Sequence, residues 1–451
     1  MTETRPSWRF PRAFWTANVV ELFERAAYYG TFIALRTYLL RVVGLGDVQA
    51  GFVAGLFGAL IYLFPFFTGA ASDRLGFRNS LLIAFALLAT GYATLGVFHN
   101  LSPVLVGLSC IVVGGAFVKP VITGTAARSS SDVNRARAFS LFYMMVNIGS
   151  FTGKTIVAPI RIDLGVQKVP FFSAGAALVA LLVVALFYRP SENGEARPRS
   201  VGETLRGMAT AMRNLRFTSL ILITAGFWAI QGQLYASMPD YVLRMAGESY
   251  KPEWYANVNP LMVVLFVVAV TQLVRKWPAE LSISVAMVLI PLSSLAMASS
   301  HLFHGNLNVL GLSVHPITAM MVLGIGIQGI AECFLSPKYL EFASRQAPRG
   351  REGLYLGYAH MNTFFAWLFG FVFAGYLLQA FCPEPSTLSA AAQQQHALAL
   401  AGQGPMPAAY AHAYYLWYAF AMVGALSFVA MMVFIAVTRR LDRGKAAGAA
   451  G

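Results

Sequence analysis

The chain has 451 residues, 57% of them apolar and only 12% charged, with a net charge of +14 and three cysteines. A soluble chain carries about a quarter charged residues, so composition excludes an ordinary soluble domain. Cys110, Cys333 and Cys382 are too few and too scattered for a disulfide frame or a metal site. The positive charge invites a nucleic-acid reading, and its distribution along the chain removes it.

Apolar stretches near the length that crosses about 30 Å of hydrocarbon recur throughout. Twelve spans are expected: 13–38, 50–71, 79–98, 103–125, 138–160, 169–188, 217–239, 255–274, 279–300, 316–336, 354–380 and 411–437. The first is too long and too charged for a cleaved signal peptide. Of the 33 Lys and Arg, 23 fall in one set of alternate loops. They include Arg5, Arg9, Arg12, Arg197, Arg199, Arg349, Arg351 and Lys445. Five fall in the other set: Arg41, Arg161, Lys168, Arg244 and Lys251. Positive loops stay cytoplasmic, so both termini are expected in the cytoplasm. The expected fold class is an all-α polytopic membrane protein, with the lipid bilayer and not nucleic acid as its surroundings.

The first span holds the residues hardest to bury. Glu21, Glu24, Arg25, Tyr28, Tyr29 and Phe32 are spaced i, i+3, i+4, i+7, i+8 and i+11, one stripe of a helix. Arg36 continues it a turn further. Each charge facing lipid costs about 2.5–3.5 kcal/mol, so the stripe is expected to face protein or a watery cavity. Two glutamates and one arginine leave a net charge of −1. Lys119, in "VVGGAFVKPVITG" of the fourth span, is the expected partner that brings the sum to zero. Pro120 beside it is expected to loosen the helix and turn freed backbone groups to water. Protonating one glutamate then leaves surplus positive charge, which makes the cluster a proton switch. A static ion-pair network that fixes helix packing is the alternative.

Between spans two and three runs "GAASDRLGFR", Gly69 to Arg78, a short turn needing Gly76. Asp73 and Arg74 are expected to pair with helix ends and with each other. In span five, Tyr143, Asn147, Ser150 and Lys154 share a face at i, i+4, i+7 and i+11. The segment 189–216, with Pro190, Gly194 and Pro198, divides the chain into halves 1–188 and 217–451. Within it Leu205, Met208, Met212 and Leu215 are spaced for a surface-lying helix. Span seven reads "FWAIQGQ", and Trp228 and Gln233 join Tyr28, Tyr29, Tyr143 and Asn147 as candidates to line a cavity. Glu332, a lone acid in span ten, awaits a cation, or else bonds to a neighbouring helix. The segment 381–410 is expected to be a loose loop with a helical stretch. No nucleophile–base pair and no phosphate-cradling loop is present, so neither an enzyme nor an ATP-driven pump is expected.

Gly69, Asp73, Arg74, Gly76 and Arg78 fit the Gly-x-x-x-Asp-Arg-x-Gly-x-Arg loop of the major facilitator superfamily at every defined position. Glu21-x-x-Glu24-Arg25-x-x-Tyr28-Tyr29-Gly30 resembles the span-one motif of its proton-dependent oligopeptide transporter branch. Lys119-Pro120 is similar to that branch's Lys-Pro, and "FSLFYMMVNIGSF" to its aromatic-Asn-Gly signature. Asn259-Pro260, and Glu332 with Ser336-Pro337 and Ala347-Pro348, resemble further patterns of it. The resemblance implies two six-helix halves with substrate between them, proton coupling through Glu21, Glu24, Arg25 and Lys119, and a Glu332 that receives a peptide's α-ammonium. Phe32 stands where the branch has an arginine for the peptide carboxylate, and Gly232 where it has an acid. Two extra helices of many bacterial members are missing. Lys154, where members more often have proline, or Arg36 is therefore expected to bind the anionic end.

The expected function is proton-coupled import of di- and tripeptides, or of a related zwitterionic or anionic solute, by a monomer in the inner membrane. The proton is the coupling ion and no cofactor is expected. Export of drugs or metabolites on the same fold is the alternative, and a solute receptor a remote one.

Overall fold

Each expected span is helical, some in two or three pieces, in the computed structural model, which describes residues 9–131, 134–189, 201–309, 311–347 and 352–449. Arg5, Pro190, Gly194, Arg197, Pro198, Arg199, Pro348, Arg349 and Arg351, and the side chain of Lys445, lie outside the described residues. The chain runs α1 (Arg12–Arg41), α2 (Asp47–Leu63), α3 (Pro65–Leu75), α4 (Phe77–Val97), α5 (Leu101–Arg128), α6 (Arg135–Pro159) and α7 (Val169–Phe187). It continues through α8 (Val201–Met212), α9 (Leu215–Gln231), α10 (Gln233–Ala236), α11 (Met238–Ala246), α12 (Pro252–Tyr255), α13 (Val258–Val274) and α14 (Ala279–Ala298). A small antiparallel hairpin follows, β1 (Leu307–Val309) with β2 (Leu312–Val314), in which Asn308 faces Ser313. Then come α15 (Pro316–Arg345), α16 (Glu352–Ala359), α17 (Met361–Phe381), α18 (Ala390–Leu400) and α19 (Tyr415–Ala449).

Among the described residues nine helices are long and apolar enough to cross a membrane, and α2 with α3, bent by 47°, makes a tenth. The bend falls where Pro65 removes a backbone donor. The remaining two expected spans are α1, of 30 residues, and α6, of 25. Both are long enough, and both fall short in apolarity because they carry the charged and amide side chains singled out in the sequence.

Two compact units emerge, Met1–Leu45 with Leu60–Leu205, and Gly46–Ala59 with Arg206–Gly451. The boundary departs from the linker at one place, Gly46–Ala59, which holds the first thirteen residues of α2. Gly51 and Gly55 explain it: a Cβ at Gly51 lies 2.5 Å from the Phe371 carbonyl oxygen, and one at Gly55 lies 2.8 Å from Phe371 Cβ. This small-x-x-x-small pad lets the backbones of α2 and α17 touch. In the first unit, α1 approaches α6 as closely, for a Cβ at Gly149 meets the Leu22 carbonyl oxygen at 2.5 Å.

The sequence expectation that Asp73 pairs with Arg74 does not hold. Asp73 Oδ1 lies 3.7 Å from Arg128 at the end of α5, and Arg78 donates to the Ala185 carbonyl of α7 at 2.8 Å. Gly76, at φ +78° and ψ +150°, turns the chain sharply between α3 and α4 and so points these side chains at different helices. Pro120 also behaves otherwise than expected. The Ala116 carbonyl that its ring leaves without a helical donor is taken by Thr68 Oγ1 of α3 at 2.7 Å, not by water. The linker helix α8 presents Leu205 and Met212 at the surface, 48% and 43% exposed.

Candidate functional site

The charged stripe of α1 is buried. Glu21 and Glu24 are 2% exposed, Arg25 5% and Arg36 2%. Helical spacing puts Glu21 one turn from Arg25, whose Nε lies 3.2 Å from Glu21 Oε1 and makes a short hydrogen bond to Glu24 Oε2. One guanidinium thus answers two carboxylates. Glu21 Oε2 is buried with no hydrogen-bond partner among the described residues. Tyr28 and Tyr29 flank the cluster, with the Arg25 guanidinium 5.3 Å and 5.8 Å from their ring centroids. Phe32 stacks on Tyr28 at 5.4 Å.

Lys119 corrects the sequence expectation in one respect. It forms no ion pair within 4.0 Å of either glutamate among the described residues, and its ammonium lies 4.3 Å above the Tyr62 ring. Helix α5 meets the cluster one turn earlier, where a Cβ at Gly115 lies 3.9 Å from Glu24 Oε1. Glu24 thus faces α5 at Gly115, while Lys119, one turn on, lies over a neighbouring aromatic face. Tyr62, near the end of α2, carried no signal in the sequence, since its partner is set only by the fold.

On α6 the predicted face grades from open to closed: Tyr143 is 48% exposed, Ser150 6% and Lys154 1%. Asn147 turns its amide to the Tyr143 carbonyl at 2.8 Å. Lys154 is buried inside the helix packing. Its ammonium lies 5.7 Å from the centroid of Tyr29, because the glycine contacts of α1 and α6 draw the two helices together. Tyr29 therefore lies between Arg25 and Lys154.

In the second unit Glu332 sits near the middle of α15. Gln231 Nε2 donates to its Oε2 at 2.7 Å and Asn259 Nδ2 to the same oxygen at 3.4 Å. Oε1 accepts no hydrogen bond among the described residues. One oxygen orients the carboxylate and the other stays available.

Gln233, expected in the cavity lining, is a packing residue instead. It is 1% exposed, donates to the Ala229 and Gly370 carbonyls at 2.8 and 3.4 Å, and accepts from Ser237 Oγ at 2.8 Å. Gly232 separates α9 from α10, and the side chain two places earlier, Gln231, takes the role. Sequence reasoning held "FWAIQGQ" but had no way to choose between its two glutamines without knowing where the helix breaks. Trp228 is partly buried against Phe227, centroids 5.6 Å apart, with its indole nitrogen unpartnered among the described residues.

The family model of the Major Facilitator Superfamily matches residues 18–314. The chain is 23% identical over 414 residues to dipeptide and tripeptide permease A of Edwardsiella piscicida, covering 78% of this chain and 83% of that one. It is 30% identical over 220 residues to dipeptide and tripeptide permease B of Salmonella typhimurium, covering 48% and 42%. A crystal structure of a POT family transporter in complex with 5-aminolevulinic acid superposes with a TM-score of 0.73 at 18% identity, over 97% of this chain and 98% of that one. The superposition carries the fold, and the family model carries the lineage: this chain belongs to the Major Facilitator Superfamily.

Proposed function

We propose that the protein is a proton-coupled symporter of the proton-dependent oligopeptide branch, importing di- and tripeptides by alternating access. Permeases similar to it carry dipeptide and tripeptide in their names, and its motifs span both halves. One observation carries the reading. Two buried carboxylates on a membrane-spanning helix share a single arginine, and Glu21 Oε2 has no partner among the described residues. A carboxylate oxygen so left is where a proton is best received.

A proton on Glu21 removes one of the two claims on Arg25. Lys119 takes part through its field and not through a direct bond. Glu332, held at Oε2 by Gln231 and Asn259, offers Oε1 to the peptide ammonium. Lys154, or Arg36, receives the carboxylate in place of the absent span-one arginine. Each ligand must favour the same state of the transporter for uptake to follow the proton gradient. Both termini lie in the cytoplasm, which the loop charge bias supports, and the bilayer is the inner membrane, which the likeness to bacterial permeases supports. The transporter works as a monomer and needs no cofactor beyond the proton.

The test is uptake of dialanine and trialanine into proteoliposomes with an acid exterior. Accumulation above the outside concentration is expected from the parent protein. The Glu21→Gln/Glu24→Gln variant is expected to keep counterflow exchange and lose accumulation. Full gradient-driven accumulation in that variant overturns the proton site. Uptake of an organic acid with neither peptide moved overturns the peptide assignment, and substrate-driven proton release identifies an exporter.

A further inference from the structure

Helices α14 and α19 pack side by side, and Arg216 at the start of α9 touches an acid on each. Its guanidinium lies 3.5 Å from Glu280, in the first turn of α14, and 3.3 Å from Asp442, near the end of α19. The beginning of one helix therefore meets the end of the other, and the two run antiparallel. Between them is an open cavity of about 480 Å³ that shares no residue with the site around Glu332.

Its walls are two matched stripes. Leu281, Val285 and Val288 recur at i, i+4 and i+7 on α14. Phe428, Met432 and Ile435 do the same on α19, and the stripe runs on at i+11 and i+14 into Arg439 and Asp442. The groove is apolar along its length and charged at one end, where two guanidiniums stand beside two carboxylates. Leu281 and Val288 remain 48% and 42% exposed, an apolar surface fit for an acyl chain. The ion pairs of Arg216 are long, at 3.5 and 3.3 Å, and its side chain is partly exposed, so its terminal nitrogens can turn to a phosphate in the groove.

The charges select among headgroups. A phosphate alone would meet Glu280 and Asp442 as well as the arginines. A quaternary ammonium carries no N–H to give to a carboxylate. A phosphate followed by a primary ammonium satisfies both signs, through charge-assisted hydrogen bonds. We propose that this groove is a binding site for phosphatidylethanolamine, its headgroup at the Arg216 end and an acyl chain laid along the α14–α19 stripes.

The experiment is thermal unfolding of the purified full chain in detergent, titrated with palmitoyl-oleoyl phosphatidylethanolamine, phosphatidylglycerol or phosphatidylcholine. The ethanolamine lipid is expected to raise Tm by roughly 1–3 °C, and the other two by less than half as much. Val288→Trp fills the groove and is expected to abolish the difference. Arg439→Gln, at an exposed position with no ion pair among the described residues, is expected to halve it even if the tryptophan variant fails to fold. Equal shifts from all three lipids, a larger shift from phosphatidylglycerol, or an undiminished ethanolamine shift in Arg439→Gln overturns the proposal.

Discussion

Gln231 and Gln233 stand two places apart and do opposite work, because what a side chain does is set by where the helix stops. Gln231 donates to the oxygen of Glu332 that faces away from the open one, and a hydrogen bond to a charged group contributes about 1.5–3 kcal/mol. Gln231→Leu is accordingly expected to raise KM for dialanine about tenfold, the kinetic equivalent of about 1.4 kcal/mol, with kcat changed less. Gln233→Leu is expected to lower Tm and leave KM within about twofold, since its bonds are all to its own unit's backbone and Ser237. Initial-rate uptake and melting curves on both variants separate the roles. Lys154→Ala is the matching test for the substrate's anionic end. A selective loss of affinity for free-carboxylate peptides over their amides is expected, and unchanged affinity for free-carboxylate peptides in Lys154→Ala assigns the role elsewhere.

At the scale of elements, the helix pairs are matched through missing atoms. Pro120 removes the donor for the Ala116 carbonyl and Thr68 supplies another from a different helix. Thr68→Val leaves that carbonyl buried and unpaired, which costs about 1–3 kcal/mol. The loss is expected to shrink when Pro120→Ala restores the helical donor, so a double-mutant cycle on Tm reads a positive coupling between two residues 52 positions apart. The α1–α6 contact is equally demanding. Gly149→Val drives a side chain into the Leu22 carbonyl, and overpacking of this kind costs about 1–3 kcal/mol. The same helix shift displaces Lys154 from Tyr29, so transport is expected to fall along with Tm.

Over the whole molecule, the segment expected as a loose loop is tied down through Arg244. That residue is 0% exposed and bonds Asp47 Oδ1 at 2.9 Å, Glu384 Oε2 at 2.9 Å and the Cys382 carbonyl. His396, on α18, reaches back to the Arg244 carbonyl at 2.6 Å. One guanidinium therefore joins the start of α2, the end of α11 and the segment after α17 within the second unit. Arg244→Ala strands two carboxylates in a dry site, and breaking a buried pair in this way costs about 3–5 kcal/mol. A large fall in Tm is expected, partly restored by Arg244→Lys. Burial, partly offset by Arg244, also pushes the Cys382 thiol up to about 12. Removing Arg244 would push it no lower, so labelling is controlled by burial: Cys382 is 0% exposed, and maleimide is expected to reach it only where loss of Arg244 loosens the segment after α17.

Composition, span length and loop charge are local properties of the chain, and they determined by themselves that this is a polytopic helical membrane protein with its costly charges turned inward. The stripe Glu21–Glu24–Arg25 was legible because a helix repeats every 3.6 residues and lipid tolerates no such row. Which oxygen stays open on Glu332, which glutamine holds it, that Lys119 rests on Tyr62 and that Lys154 faces Tyr29 were decided only in the tertiary structure. Those contacts depend on how closely two helices approach, and that distance is fixed by glycines and prolines acting on partners far away in sequence.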